Sequence, residues 1–170
     1  QPLLLQGQRG LSRKGPLAEQ ASYYYSQPQL AVSGSMVVGG RTLPIDPTRP
    51  ARAWMDHEWS EALLADDAVG WDWIGMNLHD GSALTAFRLR RADGSALWAG
   101  GSFRGAGQIT PQVFSATDVS WRPLRWWTSP HSDARYPVQW EVQTPVGTYT
   151  VNALLDAQEL DSSASTGAVY

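Results

Sequence analysis

Cysteine is absent from this chain of 170 residues. Disulfide frameworks, catalytic thiolates, zinc ribbons and iron-sulfur clusters are therefore excluded. Charge is also scarce, since only 17% of the residues are charged, and 13 Lys and Arg against 16 Asp and Glu give a formal net charge of -3. A slightly acidic chain is poorly suited to holding a phosphate backbone, so nucleic acid is not expected as a partner.

Long apolar runs are missing as well. No stretch approaches the ~18 consecutive apolar residues of a membrane span, and the opening QPLLLQGQRG has neither the basic region nor the apolar length of a signal peptide. Localisation stays open, with the cell envelope or periplasm among the alternatives. Several catalytic motifs are absent too, including the Gly-x-Ser-x-Gly elbow, His-Glu-x-x-His and the Gly-rich phosphate loop. No metal site is expected, because the spacing of His79, Asp80, His131 and Asp133 matches no standard ligand set.

Large aromatic side chains and turn-forming residues dominate what is present. The sequence has nine Trp, six Tyr, three Phe, sixteen Gly and eleven Pro. This mixture favours short strands and turns around an aromatic-lined interior. Roughly seven or eight short strands follow each other without a βαβ period, which is typical of an antiparallel barrel or sandwich. The sequence therefore predicts an all-β fold with at most a short helix near Ser60 to Asp67.

Three dipeptides predict tight β-hairpins: Gly39-Gly40, Asp80-Gly81 and Asp93-Gly94. If Asp80 and Gly81 are the two loop residues of their hairpin, Ile74 pairs with Phe87 on one face of the sheet. The same register places each of two indoles opposite a guanidinium, in the pairs Trp73 with Arg88 and Trp71 with Arg90. Cation-π stacking would then hold each guanidinium flat, with Asp56 or Glu58 as its carboxylate partner, unless the pairs form a purely structural ladder.

The densest cluster of candidate functional residues is the string from Trp54 to Trp59, which reads WMDHEW. In a strand, His57 shares a face with Met55 and Trp59, whereas Asp56 and Glu58 share the other face with Trp54. We expect His57 to face an apolar cavity, mostly buried and hydrogen-bonded to a carboxylate or a tyrosine. The opposite orientation would transfer the acid role to a carboxylate. In a purely structural alternative, His57 is a core residue and the carboxylates face solvent or pair with Arg52 or Arg88.

A family resemblance is carried by five segments: SRKGPLAEQASYYYSQPQLAVSG, RAWMDHEWS, GWDWIGMNLHDGSALTAFRLRRADG, SDARYPVQWEVQTP and ALLDAQELDS. They resemble the carotenoid 1,2-hydratase family and its AttH-like relatives, which consist of two lipocalin-like β-barrel halves. The family's opening Glu-Trp-Trp-Tyr string and its closing strands are missing here, and PIDPTRPARAW replaces the usual Val-x-Gly-x-Ala-Trp. The resemblance implies that residues 1–65 end a first lipocalin-like half and that residues 66–170 form a second barrel without its last strands. Because both ends look cut, either an open edge strand through which another chain pairs or a barrel completed by another chain is expected.

The resemblance implies addition of water to a terminal C=C of an acyclic carotenoid or similar isoprenoid, without a cofactor. Such a reaction needs a proton donor, aromatic faces beside the carbocation and one positioned water. The candidate catalytic residues are His57, Asp56 and Glu58. The candidate substrate-binding residues are Trp54, Trp59, Trp71, Trp73, Tyr24 and Arg88, with Trp59 as the ring facing the cation.

Two other functions stay open, because a lipocalin-like fold does not fix the chemistry. One is a protein that binds an apolar small molecule in the same aromatic pocket without turning it over. The other is a structural or transport-associated envelope protein of the AttH-like branch. Peripheral membrane association is one of the expected partner interactions of the chain, whichever function it has.

Overall fold

A computed structural model describes residues 2–61, 65–162 and 164 of the chain. Antiparallel strands make up its regular structure, and among the described residues only Ala164 has a helical conformation. The all-β prediction is confirmed, while the helix expected near Ser60 to Asp67 falls partly on residues 62–64, outside the described residues. The chain divides into two compact units, residues 1–119 and 120–170. The boundary at residue 65 between two lipocalin-like halves stays a prediction.

The strands are short and are separated by turns and loops. In the first unit they are β1 (Leu4–Leu5), β2 (Leu11–Arg13), β3 (Ala21–Ala31), β4 (Ser35–Val38), β5 (Arg41–Pro44), β6 (Arg52–Trp59), β7 (Gly70–Asn77), β8 (Ala83–Arg90), β9 (Ala96–Arg104) and β10 (Gln112–Phe114). In the second unit they are β11 (Ser120–Thr128), β12 (Arg135–Thr144) and β13 (Gly147–Asn152), which form one sheet in chain order.

The first sheet is built around the long strand β3, which pairs with β1, β2 and β6. The register with β6 places Tyr24 opposite Glu58 and Ser26 opposite Asp56. Burial alternates along β3, so that Tyr24 and Ser26 are buried while Tyr23 is exposed. Because directly opposed residues share a face, the buried face of β3 carries Asp56 and Glu58 of β6 along with it.

The second sheet, in the order β10-β9-β8-β7, contains the Asp80-Gly81 hairpin with a longer loop than the sequence predicts. The backbone N-H of Leu78 donates to the carbonyl of Ser82 at 3.0 Å, which leaves His79, Asp80 and Gly81 in the loop. Asp80 Oδ1 accepts the backbone N-H of Ser82 at 2.8 Å, and only Gly81, at φ 88°, needs the left-handed region. An Asp-Gly dipeptide is compatible with a three-residue loop of this type as well as with a two-residue turn.

This loop shifts the hairpin register by one residue and overturns the predicted pairs. Trp73 lies opposite Phe87, and Ile74 lies opposite Ala86. Ile74 and Phe87 therefore face opposite sides, so the predicted pairing of these two residues is wrong. The predicted pairing of Trp73 with Arg88 and of Trp71 with Arg90 is wrong for the same reason, because a slip of one residue moves every side chain to the other face.

The remaining hairpin predictions are confirmed. Gly39 and Gly40 form the two-residue connection between β4 and β5, where Val38 pairs with Arg41. At Asp93-Gly94 the three-residue loop recurs, since Arg91 N donates to the carbonyl of Ser95 at 2.9 Å. Strands β7, β8 and β9 thus form the expected three-stranded meander.

The two four-stranded sheets of the first unit are connected by polar contacts from their inner faces. Gln6 lies between them, 2% exposed, and Trp73 of β7 donates its indole N-H to the hydroxyl of Tyr24 of β3. The inner faces named below are those that carry Tyr24 in the first sheet and Trp73 in the second. The candidate site lies between these two faces.

Candidate active site

Strand β6 presents its carboxylates, and not its histidine, to the inner face. Asp56 and Glu58 share the face of Tyr24, whereas His57 pairs with Tyr25 on the other side of the sheet. His57 is exposed to solvent, as Asp56 and Glu58 also are, so the expectation of a buried, hydrogen-bonded histidine facing an apolar cavity is wrong. Side chains alternate along β6 with the predicted period of two residues. The strand has the orientation given as the alternative in the sequence analysis, with Asp56 and Glu58 on the inner face.

His57 belongs instead to an aromatic cluster on the outer face. Its ring stacks on Tyr25 with centroids 5.3 Å apart and lies 5.0 Å from the ring of Trp59. Trp59 stacks in turn on Tyr23 at 5.5 Å and is 50% exposed. Trp59 therefore does not line the inner face, and the prediction that it faces a carbocation there is wrong.

Asp56 is held by two neutral donors. Its Oδ1 accepts a hydrogen bond from Ser26 Oγ at 2.5 Å and another from the indole Nε1 of Trp54 at 2.8 Å. Both contacts reach the same carboxylate oxygen, because Ser26 is the cross-strand partner of Asp56 and Trp54 precedes it by two residues on the same face. Neither of these hydrogen bonds reaches the second oxygen, Oδ2.

Glu58 has a cation as well as a neutral donor. Ser22 Oγ donates to Glu58 Oε1 at 2.5 Å, and the ammonium group of Lys14 forms an ion pair with the same oxygen. Lys14 Nζ also lies 5.3 Å from the ring centroid of Tyr24 and 5.1 Å from that of Phe87. The expected arginine partners are replaced by this lysine, which the sequence analysis did not single out.

Tyr24 is the most buried of the predicted site residues, with 3% of its surface exposed. Its hydroxyl accepts the indole N-H of Trp73 at 3.0 Å. Burial, followed by the negative charge of Asp56, raises the pKa of Tyr24 above its ordinary range. The phenol therefore keeps its proton at neutral pH and is a neutral hydrogen-bonding group beside the two carboxylates.

Two indoles form an aromatic wall over this face. Trp54 and Trp73 meet edge to face, with centroids 6.3 Å apart at 72°. Gly75 makes the contact close, because a Cβ at this position would lie 2.7 Å from the Trp73 ring and 2.8 Å from the Trp54 ring. Trp71 lies on the same face of β7 as Trp73 and is 47% exposed.

Arg88 does not reach this wall. The register places it on the opposite face of the second sheet, where its Nε lies 2.6 Å from Asp72 Oδ2. Arg90 Nε lies 3.0 Å from the same oxygen. The predicted stacking of Arg88 and Arg90 on indoles, with Asp56 or Glu58 as their partner, is therefore wrong, and Asp72 is the carboxylate that both arginines contact.

A buried polar chain leads to Asp56 from the second sheet. Ser102 Oγ donates to Gln6 Oε1 at 2.7 Å, and Gln6 Nε2 donates to Ser26 Oγ at 2.9 Å and to Thr85 Oγ1 at 3.0 Å. Ser26 then donates to Asp56. Sequence reasoning missed these residues because Gln and Ser are common on protein surfaces, and no local sequence pattern predicts that they are buried here.

The described residues contain no group of three or more His, Asp or Glu side chains that could hold a metal ion. What they bring together is a pair of carboxylates on one strand, from residues whose Cα atoms are about 7 Å apart along β6, beside two indoles and a neutral phenol. One carboxylate is ion-paired, and the other is bonded by neutral donors. Such a site is able to donate a proton from one group and accept a proton at the other. In the described part of the chain, no helix is long and apolar enough to cross a membrane.

Comparison with known proteins identifies the relatives of this chain. The sequence profile of the AttH-like family matches residues 1–170. The chain belongs to the AttH-like family. Among solved structures, this AttH-like chain is similar to a protein assigned as AttH from Nitrosomonas europaea, with 48% identity and a TM-score of 0.91 over 99% of this chain and 51% of that one. A search of curated proteins gave no match.

A more distant structure has the same fold. Kievitone hydratase from Nectria haematococca superimposes with a TM-score of 0.72 at 20% identity, over 93% of this chain and 47% of that one. The AttH-like chain therefore has the predicted antiparallel lipocalin-like fold. It spans about half the length of the solved structures that it matches.

Proposed function

We propose that this AttH-like chain contributes the reactive site of a cofactor-independent hydratase that adds water to a carbon-carbon double bond of an apolar substrate. The observation that supports it is the pair Asp56 and Glu58 on the inner face, one bonded by neutral donors and the other ion-paired with Lys14. We assign the role of acid to Asp56, whose hydrogen-bond partners Ser26 and Trp54 are neutral. The role of base suits Glu58.

The proposed reaction has two steps. The carboxyl proton of Asp56 is transferred from Oδ2 to the less substituted alkene carbon, which leaves a carbocation on the more substituted carbon. Water then attacks this carbon, and Glu58 accepts the proton that the water loses. Solvent returns a proton from Glu58 to Asp56, so the net change is addition of H and OH across the double bond.

The indoles stabilise the charge that develops between these steps. A cation is attracted to the face of a tryptophan ring by about 0.5 to 1 kcal/mol at an exposed site, and Trp73 is 39% exposed. Trp54 and Trp73 are the indoles on the inner face, and Tyr24 remains a neutral hydrogen-bond donor there. Trisubstituted alkenes form tertiary cations, so a terminal isoprenoid group, as in an acyclic carotenoid, is the substrate class that we propose.

The test uses an acyclic isoprenoid alkene and water labelled with ¹⁸O. Mass spectrometry should detect a tertiary alcohol that contains one ¹⁸O, formed by the wild-type chain and reduced at least 100-fold by Asp56→Asn. Glu58→Gln should have a similar effect. Unlabelled product, or equal product from wild type and Asp56→Asn, would contradict the proposal.

The same aromatic wall supports a second candidate function, binding of an apolar small molecule without turnover. Trp54, Trp73 and Tyr24 provide apolar surface with few polar groups, as ligand sites generally do. Saturable quenching of tryptophan fluorescence by the isoprenoid, with no labelled alcohol, is the result expected from this alternative.

A further inference from the structure

A cavity beside the carboxylate site lies between β2 and β9 of the first unit. Its volume is about 470 Å³, within the range of small-molecule pockets. Apolar side chains form most of its wall, namely Leu11, Phe87, Trp98, Val113 and Phe114. Phe87 also lies beside the ion pair of Lys14 with Glu58, since Lys14 Nζ is 5.1 Å from its ring centroid.

Arg13 provides the charge of this cavity. Among the described residues that line it, Arg13 alone is ionisable at neutral pH. Its guanidinium lies over the indole of Trp98, with Cζ 5.1 Å from the ring centroid. Nε and Nη2 donate to the carbonyl of Gly15 at 3.3 and 3.0 Å, and Nη2 donates to that of Pro16 at 2.6 Å. These contacts fix the position of the guanidinium in the wall.

The charge of Arg13 is not neutralised within the described part of the chain, where none of the ion pairs includes it. Both groups that Nε and Nη2 contact are neutral carbonyls. A fixed guanidinium at the edge of an apolar cavity is complementary to a carboxylate, which it binds with directed N-H donors. An uncharged ligand would form no ion pair with Arg13.

We propose that this cavity is a binding site for an apolar monocarboxylate, whose chain or ring lies against Phe87 and Trp98 and whose carboxylate pairs with Arg13. The site goes beyond the proposed hydration, since its ligand and its residues are different. It does not require Asp56 or Glu58 to be catalytic.

The experiment uses 1-anilinonaphthalene-8-sulfonate as a fluorescent probe, displaced by decanoate or by decan-1-ol. These two competitors have the same number of carbons and differ in charge. Wild type should release the probe at decanoate concentrations about tenfold lower than those of decan-1-ol, because a charged hydrogen-bonded pair contributes roughly a tenfold gain. Arg13→Gln should remove that preference. Because the probe is itself a sulfonate, each inhibition constant is corrected for the affinity of the variant for the probe, and the corrected value for decan-1-ol should stay unchanged.

Three further variants complete the design. Arg91→Gln, in the exposed hairpin of the same unit, should retain the decanoate preference and serves as the matched control. Val113→Glu places a negative charge in the wall at a residue that is 47% exposed, and it should weaken decanoate at least tenfold while sparing decan-1-ol. Arg13→Lys keeps the charge and should retain part of the preference, which separates loss of charge from loss of the loop contacts.

The outcomes are separable from those of the hydratase test. Asp56→Asn should bind decanoate like wild type even though it forms no alcohol. Equal displacement by decanoate in Arg13→Gln and Arg91→Gln would overturn the role of Arg13. No saturable displacement by either competitor in wild type would overturn the binding site itself.

Discussion

At the scale of single residues, two carboxylates on the same strand differ in their partners and therefore in what they are able to do. Asp56 accepts hydrogen bonds from Ser26 and Trp54, whereas Glu58 is paired with Lys14. Residues two apart on a strand have the same direction but different neighbours, because each faces a different position of β3. The partners, and not the residue type, assign the roles of acid and base in the proposed reaction.

Tyr24→Phe tests the buried phenol. Loss of the hydroxyl leaves the indole N-H of Trp73 without its acceptor, which should lower the free energy of unfolding by about 1 to 3 kcal/mol at pH 7. The control is Tyr23→Phe, since Tyr23 is 57% exposed and should change stability little. Urea unfolding measures both variants, and equal stability of the two would show that the buried hydroxyl contributes nothing.

The pH dependence of Tyr24 has a definite sign. Its pKa is raised in the folded chain, so above its ordinary value of 10.0 the unfolded chain loses the phenolic proton first. The stabilisation is complete below pH 10 and is lost as the pH rises toward the folded-state pKa. Between pH 9 and 11.5, the free energy of unfolding should therefore fall more steeply for wild type than for Tyr24→Phe. The difference should reach up to about 1.4 kcal/mol per pH unit. Parallel curves for the two proteins would contradict this.

At the scale of elements, the loop of the β7-β8 hairpin is held by the irregular part of β3. Gln29 lies at φ 58°, where the pairing of β3 with β6 shifts register between Gln27 and Leu30. Its side-chain Nε2 donates to the carbonyls of Leu78 at 3.0 Å and Ser82 at 2.9 Å. A bulge in the first sheet thereby fixes a turn in the second.

Gln29→Ala should consequently weaken the hairpin. Two side-chain hydrogen bonds are removed, which should lower the free energy of unfolding by about 1 to 3 kcal/mol. Amide hydrogen exchange at Leu78 to Ser82 should accelerate as well. Gln112→Ala, an exposed substitution on the edge strand β10, is the control, and equal exchange in both variants would exclude this role of Gln29.

The elements also show which features the sequence can predict. Turn dipeptides and alternating patterns predict all three hairpins, because both signals are local. The strand count is underestimated, since roughly seven or eight strands were expected and the described residues contain thirteen. The register of the β7-β8 hairpin was not predictable, since Asp80 is equally compatible with a two-residue and a three-residue loop. The orientation of β6 was not predictable either. WMDHEW has a tryptophan on each face, and contacts distant in sequence, with Ser22, Ser26 and Lys14, accompany the inward orientation.

At the scale of the whole molecule, Gln6 joins the two sheets of the first unit. It bonds Ser26 of β3, Thr85 of β8 and Ser102 of β9, and all three partners are buried. Gln6→Ala should lower the free energy of unfolding by about 3 kcal/mol or more, because it leaves buried hydroxyls without partners. Gln8 is an exposed neighbour, so Gln8→Ala should lower the free energy of unfolding far less in the same urea titration. Similar losses for both variants would argue against a buried network.

The most direct measurement of the central claim compares the two faces of β6 in one assay. The rate of ¹⁸O-labelled alcohol formation from an acyclic isoprenoid is measured for wild type, Asp56→Asn and His57→Gln, with circular dichroism as the check of folding. The geometry predicts a loss of at least 100-fold for Asp56→Asn and a rate within about threefold of wild type for His57→Gln, whose side chain lies on the outer face. An active Asp56→Asn together with an inactive, folded His57→Gln would contradict the assignment of the inner carboxylates as the reactive groups.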